Sequence, residues 1–405
     1  METVLRKQPH ENIRMKKSRH RLRQVSKPAA RPTTCTLHVD DLSRAGNGVA
    51  KEPAGRVVFI PFTAPGDVVT ARITSQKSQY AQAELVEILQ PSEQRQAPKC
   101  AVFGRCGGCA WQHIAYPLQW QTKSLGVKQA LSRMKVPIPA AWEEYPAAQI
   151  WSYRNRIQLR GNKDRVGLYA KTSHSIVPIE RCEIAREELN RHIGAVREQG
   201  KRLAQPYKVE LELLHDGTVR TTWNSVTAAA GFQQINSEQN SHLKQWVLEH
   251  ICKHQPVLDL YGGSANLSAQ LAPLSPHIDC VDVVVPDNET VKWPDNMSFH
   301  RSDVFSWVVN KAKLQRKNTP VAPSCSAIID PPRGGMPEHL GEFIDGLQRL
   351  NVTELISVGC KTDTWVRDLA GFIQQGWQLE NVAVFDFFPQ TAHVESAGLL
   401  RRIKT

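Results

Sequence analysis

Apolar and polar residues alternate in short runs from Cys35 to about Gln90, and a period of two is that of strands. The runs Thr36–Val39, Arg56–Phe62, Asp67–Ile73 and Ala83–Leu89 are separated by turn-forming residues, and Gly46 and Gly48 suit a tight turn. Short strands at this spacing predict a small β-barrel of the oligonucleotide-binding kind. Farther on, Trp120–Leu131 reads as a helix. Ser152–Arg160 alternates Arg with apolar residues, and 207–223 alternates too, so about 150–225 is read as a central β region with one basic face. Beyond it the pattern changes. A helix over about 237–253 precedes buried apolar runs at 256–260, 278–283, 297–300, 326–330, 353–358, 380–386 and 396–403. Apolar strands alternating with helical stretches predict a mostly parallel, Rossmann-like sheet with ligands at the carboxyl ends of its strands.

A length of 405 residues exceeds one typical core. The expected divisions are a disordered basic arm at 1–31, the barrel at 32–92, a central RNA-binding region at 93–230 and the sheet domain at 231–405. The fold class is therefore α/β plus β. A net charge of +12 and a pI near 9.3 point to a polyanionic partner, because each neutralised phosphate releases counterions. No apolar run approaches the ~20 residues of a membrane helix, and no signal-peptide core opens the chain. A cytoplasmic monomer without membrane contact is expected. Nine cysteines are too few for a disulfide scaffold at this length, which turns attention to metal binding or chemistry.

Three of them, Cys100, Cys106 and Cys109, fall within ten residues around a Gly107-Gly108 pair, and Cys182 is the candidate fourth ligand. Ligand counting alone leaves zinc and iron–sulfur both open. Pro256–Leu260 followed by Tyr261-Gly262-Gly263-Ser264-Ala265-Asn266 reads as strand, glycine turn and helix start, the arrangement that meets a nucleotide-like ligand. About twenty residues later, Asp282 ends the next strand, placed to accept hydrogen bonds from a ribose diol. Asp303, Asp330 and Cys360 also fall at strand ends.

These segments resemble the uracil-C5 RNA methyltransferases, class I enzymes dependent on S-adenosylmethionine. The resemblance spans about residues 35–405. It rests on the Cys100-x5-Cys106-Gly-Gly-Cys109 spacing, on Asp330-Pro331-Pro332-Arg333-Gly334, on Gly359-Cys360 and on His393-Val394-Glu395-Ser396. Gly46-Asn47-Gly48-Val49 and Val58–Asp67 are similar to the TRAM domain of RNA-modifying enzymes. TRAM plus four cysteines most resembles the bacterial 23S ribosomal RNA members. The resemblance implies a 4Fe–4S cluster on Cys100, Cys106, Cys109 and Cys182. It implies donor contacts at Gln234, Tyr261, Asn266, Asp282, Asp303 and Asp330, with Cys360 as nucleophile and Glu395 as base. Three features depart from the family pattern: Ala265 replaces a glycine, Asp282 replaces a glutamate, and the segment from Asp282 to Asp303 is short and carries Pro286 and Pro294.

The chemistry explains those residue types. Uracil C5 is a poor nucleophile until a thiolate adds to C6 and makes an enolate of the ring. C5 then displaces the donor's methyl group in line, and a carboxylate removes the C5 proton so that the thiol can leave. A loop or single-stranded uridine is the expected target, since a stacked base cannot reach the thiol. Three rival readings remain. An amino-group methyltransferase would carry an aromatic residue where Arg333 stands. The others are a tRNA uracil-C5 enzyme and a non-catalytic RNA-binding module with a degraded donor site.

Overall fold

In the computed structural model, described residues are 33–224, 234–284, 293–315 and 323–403; the basic arm at 1–31 and Pro286 lie outside them. Five strands, β1 (Thr34–Leu42), β2 (Gly48–Lys51), β3 (Val57–Ile60), β4 (Val68–Gln76) and β5 (Tyr80–Gln90), close a barrel in the order β1-β2-β3-β5-β4. Alternation makes the barrel: Leu37, Val39, Val58, Ile60, Val69, Ala71 and Ile73 point inward to one core. β2 occupies the end of the stretch expected to be only a turn, and it pairs with β1 across a bulge between Val39 and Asp41.

After the cysteine loop come α1 (Tyr116–Arg133) and β6 (Ala141–Tyr145). A five-stranded sheet follows, built from β7 (Arg156–Asn162), β8 (Arg165–Tyr169), β9 (Ile176–Pro178), β10 (Tyr207–Leu213) and β11 (Val219–Trp223), and α2 (Glu187–Gly200) covers it. Ile157 and Leu159 enter its core with Leu189, Ile193 and Val209. The alternate residues Gln158 and Arg160, together with Arg154, face the cysteine cavity instead of open solvent.

The remaining elements are α3 (Ser237–His250), β12 (Val257–Leu260), β13 (Ile278–Asp282), β14 (Met297–Arg301), α4 (Val304–Gln315), β15 (Cys325–Ile329), α5 (Leu340–Arg349), β16 (Val352–Gly359), α6 (Thr362–Gln374), β17 (Trp377–Phe385) and β18 (Glu395–Arg402). Their seven strands and β6 form an eight-stranded sheet in the order β14-β13-β12-β15-β16-β18-β17-β6. β12, β13 and β15 are buried on both faces, which explains their unbroken apolar runs. One face packs under α1, α4, α5 and α6 through Leu131, Val308, Phe343 and Leu369. The other packs under α3 and the turn after β12 through Leu243, Trp246, Ala265 and Leu271. β6 comes from within the span expected to be a separate central region, yet it pairs parallel with β17 on the sheet edge.

The helix expected to start after the glycine turn is absent from the described residues there. A single 3-10 turn, Ala269–Leu271, takes its place. Pro273 and Pro276 follow within a few residues, and proline lacks the N–H a continuing helix needs.

Candidate active site

Strand register brings the chemistry together. Gly359 pairs with Ser396 across antiparallel β16 and β18, so the next pair outward is Cys360 and Glu395. Ile329 pairs with Ser357 in parallel β15, which sets Asp330 beside them. Gly359 has to be small: a Cβ there would meet Trp365 at 2.7 Å, and the Trp365 indole donates to the Ser357 carbonyl at 3.1 Å.

These ends open into a cavity of about 700 Å³. Its wall includes all eight residues expected to act at the site: Gln234, Tyr261, Asn266, Asp282, Asp303, Asp330, Cys360 and Glu395. Arg154, Asp259, Arg333 and Phe388 also line it, and sequence reasoning gave Arg154, Asp259 and Phe388 no role there. Asp259 did leave a signal, a lone carboxylate inside the apolar run Val-Leu-Asp-Leu, but its neighbours drew the reading to the turn beyond it.

Several of these groups have local duties as well. Asp282 accepts from the Gly263 N–H at 3.1 Å and from the Val284 N–H at 2.9 Å, pinning the glycine turn. Asp303 accepts from the Ser306 N–H at 2.9 Å and so caps α4. Asn266 exchanges two 2.9 Å hydrogen bonds with Asn240 of α3. At Gly262 a Cβ would lie 2.5 Å from the Cys280 sulfur and 2.6 Å from the Asp259 carboxyl, so the turn presses its backbone against the strands. Tyr261 and Ala265 both adopt left-handed backbone, with φ of 64° and 55°, a strain that concentrates at functional sites.

Burial dominates the electrostatics. It pushes Asp259 up to about 6 and, with the charge of Asp259, lifts Asp330 to about 7. Glu395 is raised well above the carboxylate range by burial and then by Asp330, with Arg333 opposing. The Cys360 thiol is pushed up to about 11 by burial first and by Glu395 second; the positive charge of Arg333 pulls the other way. The pocket is therefore rich in carboxyl groups that a bound cation would ionise, beside a thiol with one guanidinium partner.

The second cavity, about 370 Å³, is ringed by Cys100, Cys106, Cys109 and Cys182. Burial raises the thiols of Cys106 and Cys182 and lifts Cys109 to about 12; the other cysteines' charges add to the effect. The Gly108 N–H donates to the Cys106 sulfur at 3.4 Å, and a Cβ at Gly107 would press on the backbone at Lys171, 3.1 Å away. Among the described residues, no group of His, Cys, Asp and Glu is drawn up for a single metal ion. Arg154 lines both cavities. The remaining four cysteines lie outside both cavities, Cys280 and Cys325 within buried strands, Cys252 half-buried beyond α3 and Cys35 half-buried in β1.

Known proteins fit this picture. A TRAM domain profile matches residues 31–86, and the profile described as tRNA (uracil-5-)-methyltransferase matches residues 193–403. An uncharacterized RNA methyltransferase of Bdellovibrio bacteriovorus is 29% identical over 90% of this chain and 94% of its own. A 23S rRNA (uracil(1939)-C(5))-methyltransferase of Vesicomyosocius okutanii is 26% identical over 90% and 97%. The crystal structure of the Pyrococcus abyssi tRNA (uracil-54, C5)-methyltransferase with S-adenosyl-L-homocysteine covers 90% of this chain and 99% of its own, at a TM-score of 0.67 and 19% identity. That likeness establishes the fold. With the profile matched across more than half of its length, the chain belongs to the tRNA (uracil-5-)-methyltransferase family and is an S-adenosylmethionine-dependent RNA methyltransferase.

Proposed function

We propose that the chain forms 5-methyluridine in 23S ribosomal RNA through a covalent Cys360 adduct resolved by Glu395. The observation that carries this reading is the single cavity in which Cys360, Glu395 and the six expected donor contacts share one wall. Arg333 stabilises the Cys360 thiolate, which adds to uracil C6 and pushes electrons through C5 onto the C4 oxygen. S-adenosylmethionine, when bound, supplies the methyl group as a sulfonium electrophile for C5. Its positive charge suits a wall that carries Asp259, Asp282, Asp303 and Asp330, and Gln234, Tyr261 and Asn266 complete the contact set. Glu395 then takes the proton from C5, the C6–S bond breaks, and the thiol is free again. Alignment of both reactants in such a pocket contributes roughly 7–11 kcal/mol to the rate.

The choice of 23S rRNA rests on relatives of that name, which match 90% of this chain, and on a TRAM barrel joined to four cysteines. That substrate places the enzyme in the cytoplasm.

The test incubates wild type, Cys360→Ala and Glu395→Gln with unmodified 23S rRNA, with tRNA and with methyl-labelled donor. Label in 23S uridine, none with Cys360→Ala, and an adduct stable to denaturing gels with Glu395→Gln is the expected outcome. Label in tRNA alone overturns the substrate, and turnover without Cys360 overturns the mechanism.

We further propose that Cys100, Cys106, Cys109 and Cys182 hold a 4Fe–4S cluster. Four thiols ring a cavity roomy enough for several atoms, and as thiolates they would repel one another unless a cationic centre sat between them. The cluster supplies a fixed cross-link between the loop at 100–109 and Cys182. Anaerobically purified protein should contain iron and acid-labile sulfide; zinc in their place sinks the assignment.

A further inference from the structure

The segment joining β17 to β18 delivers Glu395, and one residue in it carries an unusual conformation. Gln390 is fully buried and adopts φ +69°, a left-handed backbone that costs a non-glycine residue about 1–2 kcal/mol. Such strain persists only where surrounding contacts override it. Here they come from outside the sheet domain. The Gln390 N–H donates to Gln119 Oε1 at 3.0 Å, and Gln119 Nε2 donates to Gln390 Oε1 at 3.1 Å. The Gln390 carbonyl accepts the N–H groups of Ala110 and Trp111, each at 3.0 Å, from the loop that starts just after Cys109. Gln119 is itself fully buried on α1, and its Nε2 also reaches the Ile114 carbonyl at 2.8 Å.

We propose that Gln119 is a positioning residue: through Gln390 it fixes the turn that sets the Glu395 carboxyl against the substrate's C5 proton. The proposal rests on the covalent reading above. Gln119 touches no reacting atom, so its influence falls on the step that needs Glu395. Adduct formation needs only Cys360 and its guanidinium partner. Adduct breakdown needs the carboxyl in place, and displacement of a reacting group by about 1 Å slows a step on the order of 100-fold. The clamp also joins the cysteine loop to the base, so the two cavities share one hydrogen-bonded turn.

The experiment uses the full chain, unmodified 23S rRNA and labelled donor in single turnover, following the gel-stable adduct and released methylated RNA separately. Gln119→Ala removes the clamp; Gln390→Gly removes its side-chain half and, lacking a Cβ, leaves the turn free to depart from the left-handed backbone. Both should form the adduct at close to the wild-type rate and release it on the order of 10- to 100-fold more slowly, with donor affinity and near-ultraviolet dichroism unchanged. Adduct release at the wild-type rate in both, or formation and release slowed in parallel, overturns the proposal. If Gln119→Ala does not fold, Gln390→Gly decides alone. Glu395→Gln serves as the reference: trapping there without trapping in the glutamine variants refutes the positioning role alone, and no trapping in Glu395→Gln refutes the covalent reading and this proposal together.

Discussion

Ala265 shows how far a single side chain can depart from the family pattern before anything is lost. It replaces a glycine, and its φ of 55° explains why glycine is the usual occupant. Three magnitudes compete at this site. Relief of left-handed strain in Ala265→Gly gains about 1–2 kcal/mol. The extra freedom of glycine in the unfolded chain costs about 0.5–1 kcal/mol, and the buried methyl contributes about 0.8 kcal/mol. The sum is close to zero, so Ala265→Gly should leave the urea midpoint nearly unchanged and donor affinity intact. A loss beyond about 2 kcal/mol would show that the Cβ is required in the core it enters. The candidate site was legible at this scale because Cys360, Glu395 and Asp330 each stand at a strand end inside a short, distinctive motif. Gln119 and Gln390 were not, since two glutamines 271 residues apart carry no local signal, and the lone carboxylate of Asp259 was outweighed by the glycine turn beside it.

Among the elements, α1 does more than cover the sheet. Its Lys123 is fully buried and pairs with equally buried Asp386 at 2.7 Å, and it donates to the Phe388 carbonyl at 3.0 Å. Tyr116 of the same helix donates to Asp386 at 3.0 Å. Burial lowers the lysine's pKa and the aspartate opposes that shift. Removal of one partner leaves the other charge buried, at a cost of about 3–5 kcal/mol. Lys123→Met should therefore lower the denaturation midpoint sharply, and Lys123→Met with Asp386→Asn should recover most of the loss. Equal midpoints for the two variants would mean that packing of the lysine stem, not the ion pair, holds this contact. The strands of the barrel and the sheet domain were readable from periodicity. The short edge strand β6, the 14-residue helix α2 and the missing helix after β12 were not; for β6 five residues give too few periods, and after β12 the prolines at 273 and 276 act through the fold they interrupt.

On the scale of the whole molecule, long-range contacts tie the barrel to the rest of the chain. Trp111, fully buried, donates from its indole to the Gly46 carbonyl of the barrel at 3.0 Å. Arg44 of the barrel reaches Asp363 of α6 at 2.6 Å. Composition announced an RNA partner, and the strand pattern announced an N-terminal barrel and a C-terminal Rossmann-like sheet. Neither could announce that α1 and β6 leave their sequence neighbourhood to complete the last sheet.

That edge strand has a consequence for how the protein is made. β6 can find its place only after β17 has been synthesised, and the Glu143–Asn381 contact closes a loop of 238 residues. Contacts of such separation form slowly. The barrel, whose strands lie within one short stretch, is free to fold as it leaves the ribosome, and it waits there for its catalytic partner to be translated.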